Sequence, residues 1–304
     1  MPVPLLGGRM LAKSLIAGAT ASIGGLVYAL ENSASALAGG DCVHPQALPW
    51  SHSGSFSALD IASVRRGYEV YKQVCAACHS MKYVRYYHLD YPGHGIMTSE
   101  EVKAEAAAAN IRDIDDVGQP TMRPGKYTDA FPDPYPNKKA AEAANGVAPP
   151  DLSLMALARH GNEDYIFSLL TGYFDPPAGL TVEDGKAYNA YFPGGIIGMP
   201  LQLFDEGIEY KVRLIGAVVR RTGRAQDGTF ASTSQQAKDV STFLRWSADM
   251  IHDQRKQMAL KILLFTPIIG FALFYWKKRI WAPLEVEKFW FRTIKGREPP
   301  RKKE

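Results

Sequence analysis

The sequence predicts a mainly α-helical protein with long ordered loops and one transmembrane helix near its C-terminus. Apolar residues recur three and four positions apart in several segments, which is the spacing of an amphipathic helix. Segments rich in proline and glycine separate them, which predicts loops. A 19-residue apolar stretch at 258–276 is long enough to cross a bilayer.

The charge is unevenly distributed along the 304 residues. The net formal charge is +4, of which residues 1–39 contribute +1 and residues 277–304 contribute +6, so that residues 40–276 carry −3. A basic surface on the central part is therefore not expected, and the composition predicts no nucleic-acid partner. The basic tail instead suits a membrane surface.

The first 39 residues resemble a targeting segment. Residues 15–30 contain no charge, only Arg9 and Lys13 precede them, and small residues follow at 35–39. This pattern predicts a presequence over 1–39 that is removed on maturation. A retained membrane helix is the alternative, but 16 residues with Gly24 and Gly25 inside them are short for a span.

The first predicted helix leads into the cysteine-containing segment. Asp60 can cap a helix whose apolar face carries Ile61, Val64, Tyr68 and Tyr71. Residues 118–150 and 173–200 are rich in proline and glycine and are predicted to be ordered loops.

Three further helices are predicted later in the chain. Asp151 is predicted to cap a short helix that ends before Gly161, and Asn162 to cap the next helix, which stops at Gly172. A longer helix begins near Ser234 and can continue into the membrane span.

Residues 258–276 are predicted to form the transmembrane helix, which would be roughly 28 Å long. Lys261 is the single charge and can reach the near interface. Tyr275 and Trp276 suit the far interface, and a basic run at 277–279 follows. The positive-inside rule places this end on the side of synthesis and the central domain on the opposite side. A buried core helix is the alternative.

A Cys75-x-x-Cys78-His79 motif is the strongest chemical signal in the chain. Two thiols at this spacing add to the vinyl groups of haem, and the adjacent histidine becomes an axial ligand of the iron. A thioredoxin-like redox pair would need a strand pattern that is not visible, and zinc would need a second pair of ligands. The motif therefore predicts one covalently bound haem c. Cys42, the third cysteine, is predicted to have no role.

A haem with one histidine ligand needs a sixth ligand or an open face, and methionine suits electron transfer. Met199 lies in a loop with three glycines and flanking prolines, which permits close approach to a flat cofactor. From spacing alone, Met122 and Met155 remain alternatives.

The chain resembles the cytochrome c1 family, the haem subunits of the bc1 complex (ubiquinol–cytochrome c reductase). The resemblance extends from about Pro45 to Lys295. It rests on the segments 49–52 (PWSH), 65–68 (RRGY), 70–75 (VYKQVC), 122–126 (MRPGK), 149–153 (PPDLS), 158–161 (ARHG), 168–173 (SLLTGY) and 243–246 (FLRW).

This resemblance implies a cytochrome c-like haem domain over 40–257, the transmembrane helix at 258–276 and a matrix-side tail at 277–304. It implies Met199 as the sixth ligand, Arg159 as the partner of a haem propionate, and Pro149 and Pro150 against the haem. A partly buried propionate needs a cation, and arginine offers a bidentate one.

The resemblance also implies the function and the partners. The chain would take an electron from the Rieske iron–sulfur protein and pass it to soluble cytochrome c, without acting as an enzyme by itself. Cytochrome b and membrane lipid would be further partners. The location would be the mitochondrial inner membrane with the haem domain in the intermembrane space; a bacterial secretion signal is the alternative explanation of the presequence. Acidic clusters that could steer cytochrome c are 100–101, 113–116 and 163–164.

Residues 212–226 are an atypical insertion relative to the family. Family members run almost directly from the acidic stretch after the ligand loop into an Asp-Gly-Thr turn, which here is 227–229. The 15 extra residues begin with Val212 and end with Gln226, whose codons can supply the GT and AG ends of an intron. We therefore predict a retained intron that is absent from the mature protein. An exposed surface insertion is the alternative.

Overall fold

The structure is a computed structural model that describes residues 43–92, 95–214, 217–222, 225 and 228–286. The predicted presequence, Cys42 and residues 287–304 of the basic tail lie outside the described residues.

The described residues form mainly α-helices, as the sequence predicts. Their bounds are α1 Ile61–Gln73, α2 Ser99–Ala107, α3 Lys138–Asn145, α4 Met155–Ala158, α5 Asn162–Thr171, α6 Thr233–Ala248 and α7 His252–Val286. Two 3-10 segments occur at Cys75–Ala77 and Tyr86–Asp90.

Within the part of the chain that the structure describes, the strands form three separate antiparallel pairs rather than one sheet. They are β1 Asn110–Ile114 with β2 Pro120–Pro124, β3 Ala187–Tyr188 with β4 Ile196–Ile197, and β5 Glu209–Leu214 with β6 Ala217–Thr222.

Helix α1 begins as its sequence predicts. The carboxylate of Asp60 accepts hydrogen bonds from the amides of Ala62 and Ser63, which have no partner within the helix. Val64 and Tyr68 on the predicted apolar face are buried. This face packs against α6.

The two helices meet where α1 has a glycine. A Cβ atom on Gly67 would lie 2.0 Å from the carbonyl oxygen of Asp239 in α6, so any larger residue would collide with the backbone. The Asp239 side chain is fully buried and accepts from Ser63 Oγ at 2.6 Å and from Arg66 Nε at 2.8 Å. This buried, hydrogen-bonded ion pair fixes the register of α1 on α6.

Two predicted loops contain regular structure, and in this respect the sequence prediction is wrong. Residues 118–150 include β2 and α3, and residues 173–200 include β3 and β4. Helix α3 forms between prolines because Asn137 caps it, accepting from the amide of Ala140 at 2.9 Å.

The predicted cap at Asp151 is also wrong. Helix α4 begins at Met155 with Leu154 at the cap position, and Asp151 lies in the preceding loop. Helix α5 begins at Asn162, so Gly161 rather than Asn162 occupies the cap position, and the helix ends before Gly172 as predicted.

Helices α6 and α7 are separate, so the expected continuous helix is wrong. Ser232 caps α6, which buries Val240, Phe243 and Leu244, and the chain leaves helical geometry at Asp249. The described chain divides here into two units, one of residues 43–50 and 60–250 and one of residues 51–59 and 251–286.

The predicted transmembrane stretch lies within α7. This 35-residue helix is the one candidate membrane span among the described residues, and none of its most apolar window is buried within the protein. The exposed apolar side chains that begin at Met258 suit lipid, and Pro267 is tolerated in such a helix.

Candidate haem site

The Cys75-x-x-Cys78-His79 motif forms a tight turn at the end of α1. The helix gives way to a single 3-10 turn over Cys75–Ala77. The carbonyl of Cys75 accepts from the amides of Cys78 at 3.1 Å and of His79 at 2.8 Å. This turn presents two thiols and an imidazole within one short segment, as covalent haem attachment requires.

The imidazole of His79 is oriented by a distant part of the chain. Its Nδ1 atom lies 2.8 Å from the carbonyl oxygen of Pro150, 71 residues away. Since a carbonyl only accepts, Nδ1 carries the proton and Nε2 keeps its lone pair for a metal. Burial lowers the pKa of His79, although the Pro150 carbonyl and Asp151 act in the opposite direction. The ring is therefore neutral at neutral pH, which is the form that binds iron.

The segments 79–83 and 150–153 are joined along their length. Asp151 is central: one carboxylate oxygen accepts from Ser80 Oγ and from the amide of Lys82, both at 2.9 Å. The amide of Leu152 donates to the carbonyl of Ser80 at 2.9 Å. The amide of Tyr83 donates to Ser153 Oγ at 3.2 Å. We call these two segments the histidine seam, because together they hold the Pro150 carbonyl against His79.

Asp151 is thus a positioning residue that sequence reasoning assigned to another role. Burial would raise the pKa of its carboxyl, but hydrogen bonds from the Lys82 amide and from Ser153 outweigh burial and lower it. The carboxylate is therefore ionised and accepts these bonds in its charged form. The sequence signal was the aspartate after two prolines, which also suits a local turn in which the side chain binds the backbone two residues on.

The two cysteines differ in their surroundings. Loss of contact with water, followed by the neighbouring Cys78, raises the pKa of the Cys75 thiol to about 12. Cys78 Sγ lies 3.7 Å from Asn145 Oδ1 and 4.0 Å from the hydroxyl of Tyr135. Asn145 ends α3 and donates to that hydroxyl at 3.0 Å, so α3 and Tyr135 form one wall beside Cys78. Sequence reasoning did not identify this wall.

Met199 follows the β4 strand in a loop that is tightly fastened. The backbone of Asn189 donates to Gly195, whose positive φ of 75° suits glycine. The fully buried Asn189 side chain donates to the carbonyl of Leu169 in α5. The hydroxyl of Tyr173 donates to the carbonyl of Met199 at 3.0 Å. The Met199 backbone is therefore held at the C-terminal end of α5.

The Met199 loop also lies against the segment that contains the paired prolines. An added Cβ on Gly198 would lie 4.0 Å from Val147, three residues before Pro150. One chain segment therefore lies next to both His79 and the loop that carries Met199. Two thiols, an imidazole whose Nε2 keeps its lone pair, and a thioether carried by a loop that lies against the same segment are donors of the kind that a c-type haem uses, so these residues fit that group.

The other predicted site residues differ in how far they are exposed to solvent. Arg159 is exposed at the end of α4, and its carbonyl accepts from the amide of Asn162. Pro149 is half-buried and Pro150 is exposed. Of the alternative ligands, Met122 is 58% exposed in strand β2 and Met155 begins α4.

The acidic clusters proposed for docking are not equivalent. Glu163 is buried and pairs with Arg245 at 3.7 Å, and Asp164 accepts from the indole Nε1 of Trp50 at 2.6 Å. This cluster stabilises the interior, so its assignment as a docking surface is wrong. Glu101 caps α2 through Thr98, and Asp113 pairs with Arg123, whereas Glu100 and Asp116 remain exposed.

A covalent-attachment turn, a fixed histidine and a methionine loop on a mainly helical frame define a c-type cytochrome. The chain matches the model of the cytochrome C1 family over residues 50–284. It belongs to this family, and it therefore carries a covalently bound haem c and transfers electrons.

Individual relatives of the chain have names that match this family. The chain is 45% identical over 292 residues to the "Cytochrome b-c1 complex catalytic subunit, mitochondrial" of Candida albicans, covering 94% of this chain and 92% of the relative. It is 44% identical to the "Cytochrome c1, heme protein, mitochondrial" of Saccharomyces cerevisiae, covering 96% and 91%. It is also 44% identical to the "Cytochrome c1-2, heme protein, mitochondrial" of Solanum tuberosum, covering 79% and 86%.

Proposed function

We propose that this chain is the haem subunit of a mitochondrial bc1 complex, where it takes single electrons from the Rieske iron–sulfur protein and delivers them to soluble cytochrome c. The observation that carries the proposal is the 2.8 Å contact between His79 Nδ1 and the Pro150 carbonyl, next to two cysteines at haem spacing. A ligand in one fixed orientation suits electron transfer, in which little rearrangement accompanies oxidation.

The haem, when bound, supplies a one-electron iron couple. Cys75 and Cys78 would hold the haem through thioethers, His79 and Met199 would bind its iron, Arg159 would pair with a propionate, and Pro149 and Pro150 would pack against the haem. The chain makes or breaks no substrate bond, so it is not an enzyme by itself. Its work is to fix the ligands, exclude water and present a docking surface.

Helix α7 anchors the chain beside cytochrome b in the inner membrane. The basic residues 277–279 follow the apolar stretch directly, which favours the matrix for this end and the intermembrane space for the haem domain. Membrane lipid is therefore a partner, and we expect no nucleic-acid partner.

The test is made on the purified complex. Reduced-minus-oxidised spectra are recorded with and without carbon monoxide, and the reduced complex is then mixed rapidly with oxidised cytochrome c. We expect that carbon monoxide forms no adduct with haem c. We also expect haem c to be oxidised at the same rate at which soluble cytochrome c is reduced. A ready carbon monoxide adduct would indicate an open iron and a gas- or peroxide-dependent enzyme instead.

Attachment and docking are tested separately. Replacing both Cys75 and Cys78 by serine should abolish haem that survives acid-acetone extraction, whereas replacing Cys42 by serine should not. The association rate with cytochrome c should fall as salt is raised, because the Debye length shrinks to about 8 Å at physiological ionic strength. Charge reversal at the exposed Glu100 should lower this rate; a salt-independent rate would contradict electrostatic steering.

A further inference from the structure

The loop of residues 51–59 is fastened to the first turns of α7 by a single ammonium group. Lys256 Nζ donates to the carbonyl oxygens of His52 at 2.6 Å, Gly54 at 2.7 Å and Ser57 at 3.0 Å. An ammonium group has three protons, so these three bonds use its full donor capacity. Lys256 therefore acts as a structural cation inside the loop.

Two further contacts hold the same loop to the same helix. Asp253 Oδ1 accepts from the amide of Leu59 at 3.1 Å, which ties the end of the loop to the first turn of α7. The rings of His52 and His252 meet edge to face with centroids 5.8 Å apart, which ties its beginning. These residues all belong to one compact unit. The loop and the start of α7 therefore form one body.

Phe56 lies at the tip of this fastened loop and is 82% exposed. It lies between the two residues of a turn in which the amide of Ser57 donates to the carbonyl of Gly54 at 3.2 Å. A single exposed apolar side chain is ordinary on a protein surface. Here, however, the turn that carries the ring is anchored by Lys256 to the helix that enters the membrane.

The position of the loop along the axis of α7 indicates which layer of the bilayer the loop would contact. Met258, the first residue of the apolar stretch, is only two residues beyond Lys256, or about 3 Å along a helix axis. The headgroup layer on each side of a bilayer is roughly 5–7 Å thick. A loop bonded to Lys256 therefore lies at the level of the headgroups wherever α7 spans the membrane.

We propose that residues 51–59 form a second membrane contact, in which Phe56 inserts into the headgroup–acyl boundary of the bilayer on the haem-domain side. An apolar ring gains free energy on leaving water for this boundary. Backbone carbonyls are costly to bring there without a partner, and Lys256 satisfies three of them. The charge of Lys256 also lies at the depth of the anionic phosphates. The inference rests on α7 being a membrane span.

Photo-crosslinking in the intact complex tests this contact. Benzoylphenylalanine replaces Phe56 in the full-length chain, and the complex is assembled in nanodiscs of defined phospholipid. After irradiation, the mass of the chain is measured by mass spectrometry. We expect adducts of one phospholipid mass at position 56. The matched control is benzoylphenylalanine at Phe174, which is 61% exposed in the other unit (residues 43–50 and 60–250, the haem-bearing unit) and measures the lipid labelling that occurs outside the loop.

A second position separates failure of the loop contact from failure of the span. Benzoylphenylalanine at Phe271, 73% exposed within α7, reports whether the helix lies in the membrane. If position 271 crosslinks to lipid or to a membrane subunit while position 56 gives no lipid adduct, the loop proposal is overturned and the span stands. A crosslink from position 56 to another protein subunit also overturns it. Lys256→Met should lower the lipid yield at position 56 several-fold and leave that at 271 unchanged.

Discussion

The Nδ1 atom of His79 lies 2.8 Å from the carbonyl oxygen of Pro150, and this contact links the attachment turn to a loop 71 residues away. It fixes which nitrogen carries the proton and which way the ring faces. Pro150 holds its carbonyl there because the next residue, Asp151, bonds back to Ser80 and Lys82. The orientation of one ligand therefore depends on a carboxylate that does not touch the ring.

Asp151→Asn should raise the reduction potential of the haem. The change removes a negative charge that acts on His79, the residue that would bind the iron, and it loosens the contact that makes the imidazole of His79 electron-rich; both effects would favour the reduced form. In the variant, the NH₂ group of the asparagine can lie opposite the Ser80 and Lys82 donors, with which it cannot form hydrogen bonds. This loss should lower the free energy of unfolding by about 1–3 kcal/mol. Redox titration of the complex measures the first effect and thermal melting of the haem absorbance the second.

Asp115→Asn is the matched control for this change. Asp115 also accepts two backbone amides, from Val117 and Gln119, but in the turn between β1 and β2 rather than in the histidine seam. The control should leave the potential unchanged. An equal potential shift in both variants would contradict the positioning role of Asp151.

Met199→Leu should lower the reduction potential and allow carbon monoxide to bind reduced haem. Leucine keeps the volume of methionine but has no thioether, so the sixth position opens. Met122→Leu in β2 and Met155→Leu in α4 are matched controls and should leave both properties unchanged. If one of these controls opens the iron and Met199→Leu does not, the ligand is misassigned.

Asp129→Asn should destabilise the haem-bearing unit at neutral pH and have little effect in acid. Hydrogen bonds from the Arg123 guanidinium, at 2.6 and 3.2 Å, lower the pKa of Asp129. A carboxyl with a lowered pKa stabilises the fold above its unfolded-state pKa of about 3.9, and this stabilisation is lost as pH falls through the folded-state value. The melting temperatures of wild type and variant should therefore converge below about pH 4. A constant difference down to pH 2 would contradict this linkage.

The sequence was a good guide wherever the chemistry is local. The cap at Asp60 and the apolar faces of α1 and α6 depend on neighbouring residues, and the structure confirms them. The helix class also follows from periodicity, because burial of one face determines it. These features need no knowledge of distant contacts.

Two of the features that sequence reasoning missed depend on distant partners. Asp151 is a suitable helix cap by residue type, but its carboxylate accepts hydrogen bonds from Ser80 and Lys82 instead of capping a helix. Glu163 and Asp164 look like a solvated acidic pair, yet Arg245 and Trp50 engage them. Such partners lie more than 60 residues away in the chain, and no local pattern indicates them.

The prediction that residues 212–226 are a retained intron has a structural consequence. Strand β6 pairs with β5, so the segment folds back on itself as an antiparallel hairpin. Contacts on either side of the segment are already in place: the amide of Glu206 donates to the carbonyl of Ala231 at 2.9 Å. Gln73 in α1 also bonds both backbone groups of Glu209, at 2.7 and 2.9 Å. A chain without the segment should keep these contacts and fold normally.

Tryptic peptides of the purified subunit decide between the two forms. If the segment is absent, Lys211 joins Asp227, and cleavage after Lys211 releases a peptide that begins at Asp227 and ends at Lys238. If it is present, the corresponding peptide begins at Ala225, after Arg224, and a peptide 214–220 appears as well. We expect the first pattern. Detection of peptide 214–220 in the assembled complex would show instead that the hairpin is a genuine surface insertion, which a loop tolerates at small entropic cost.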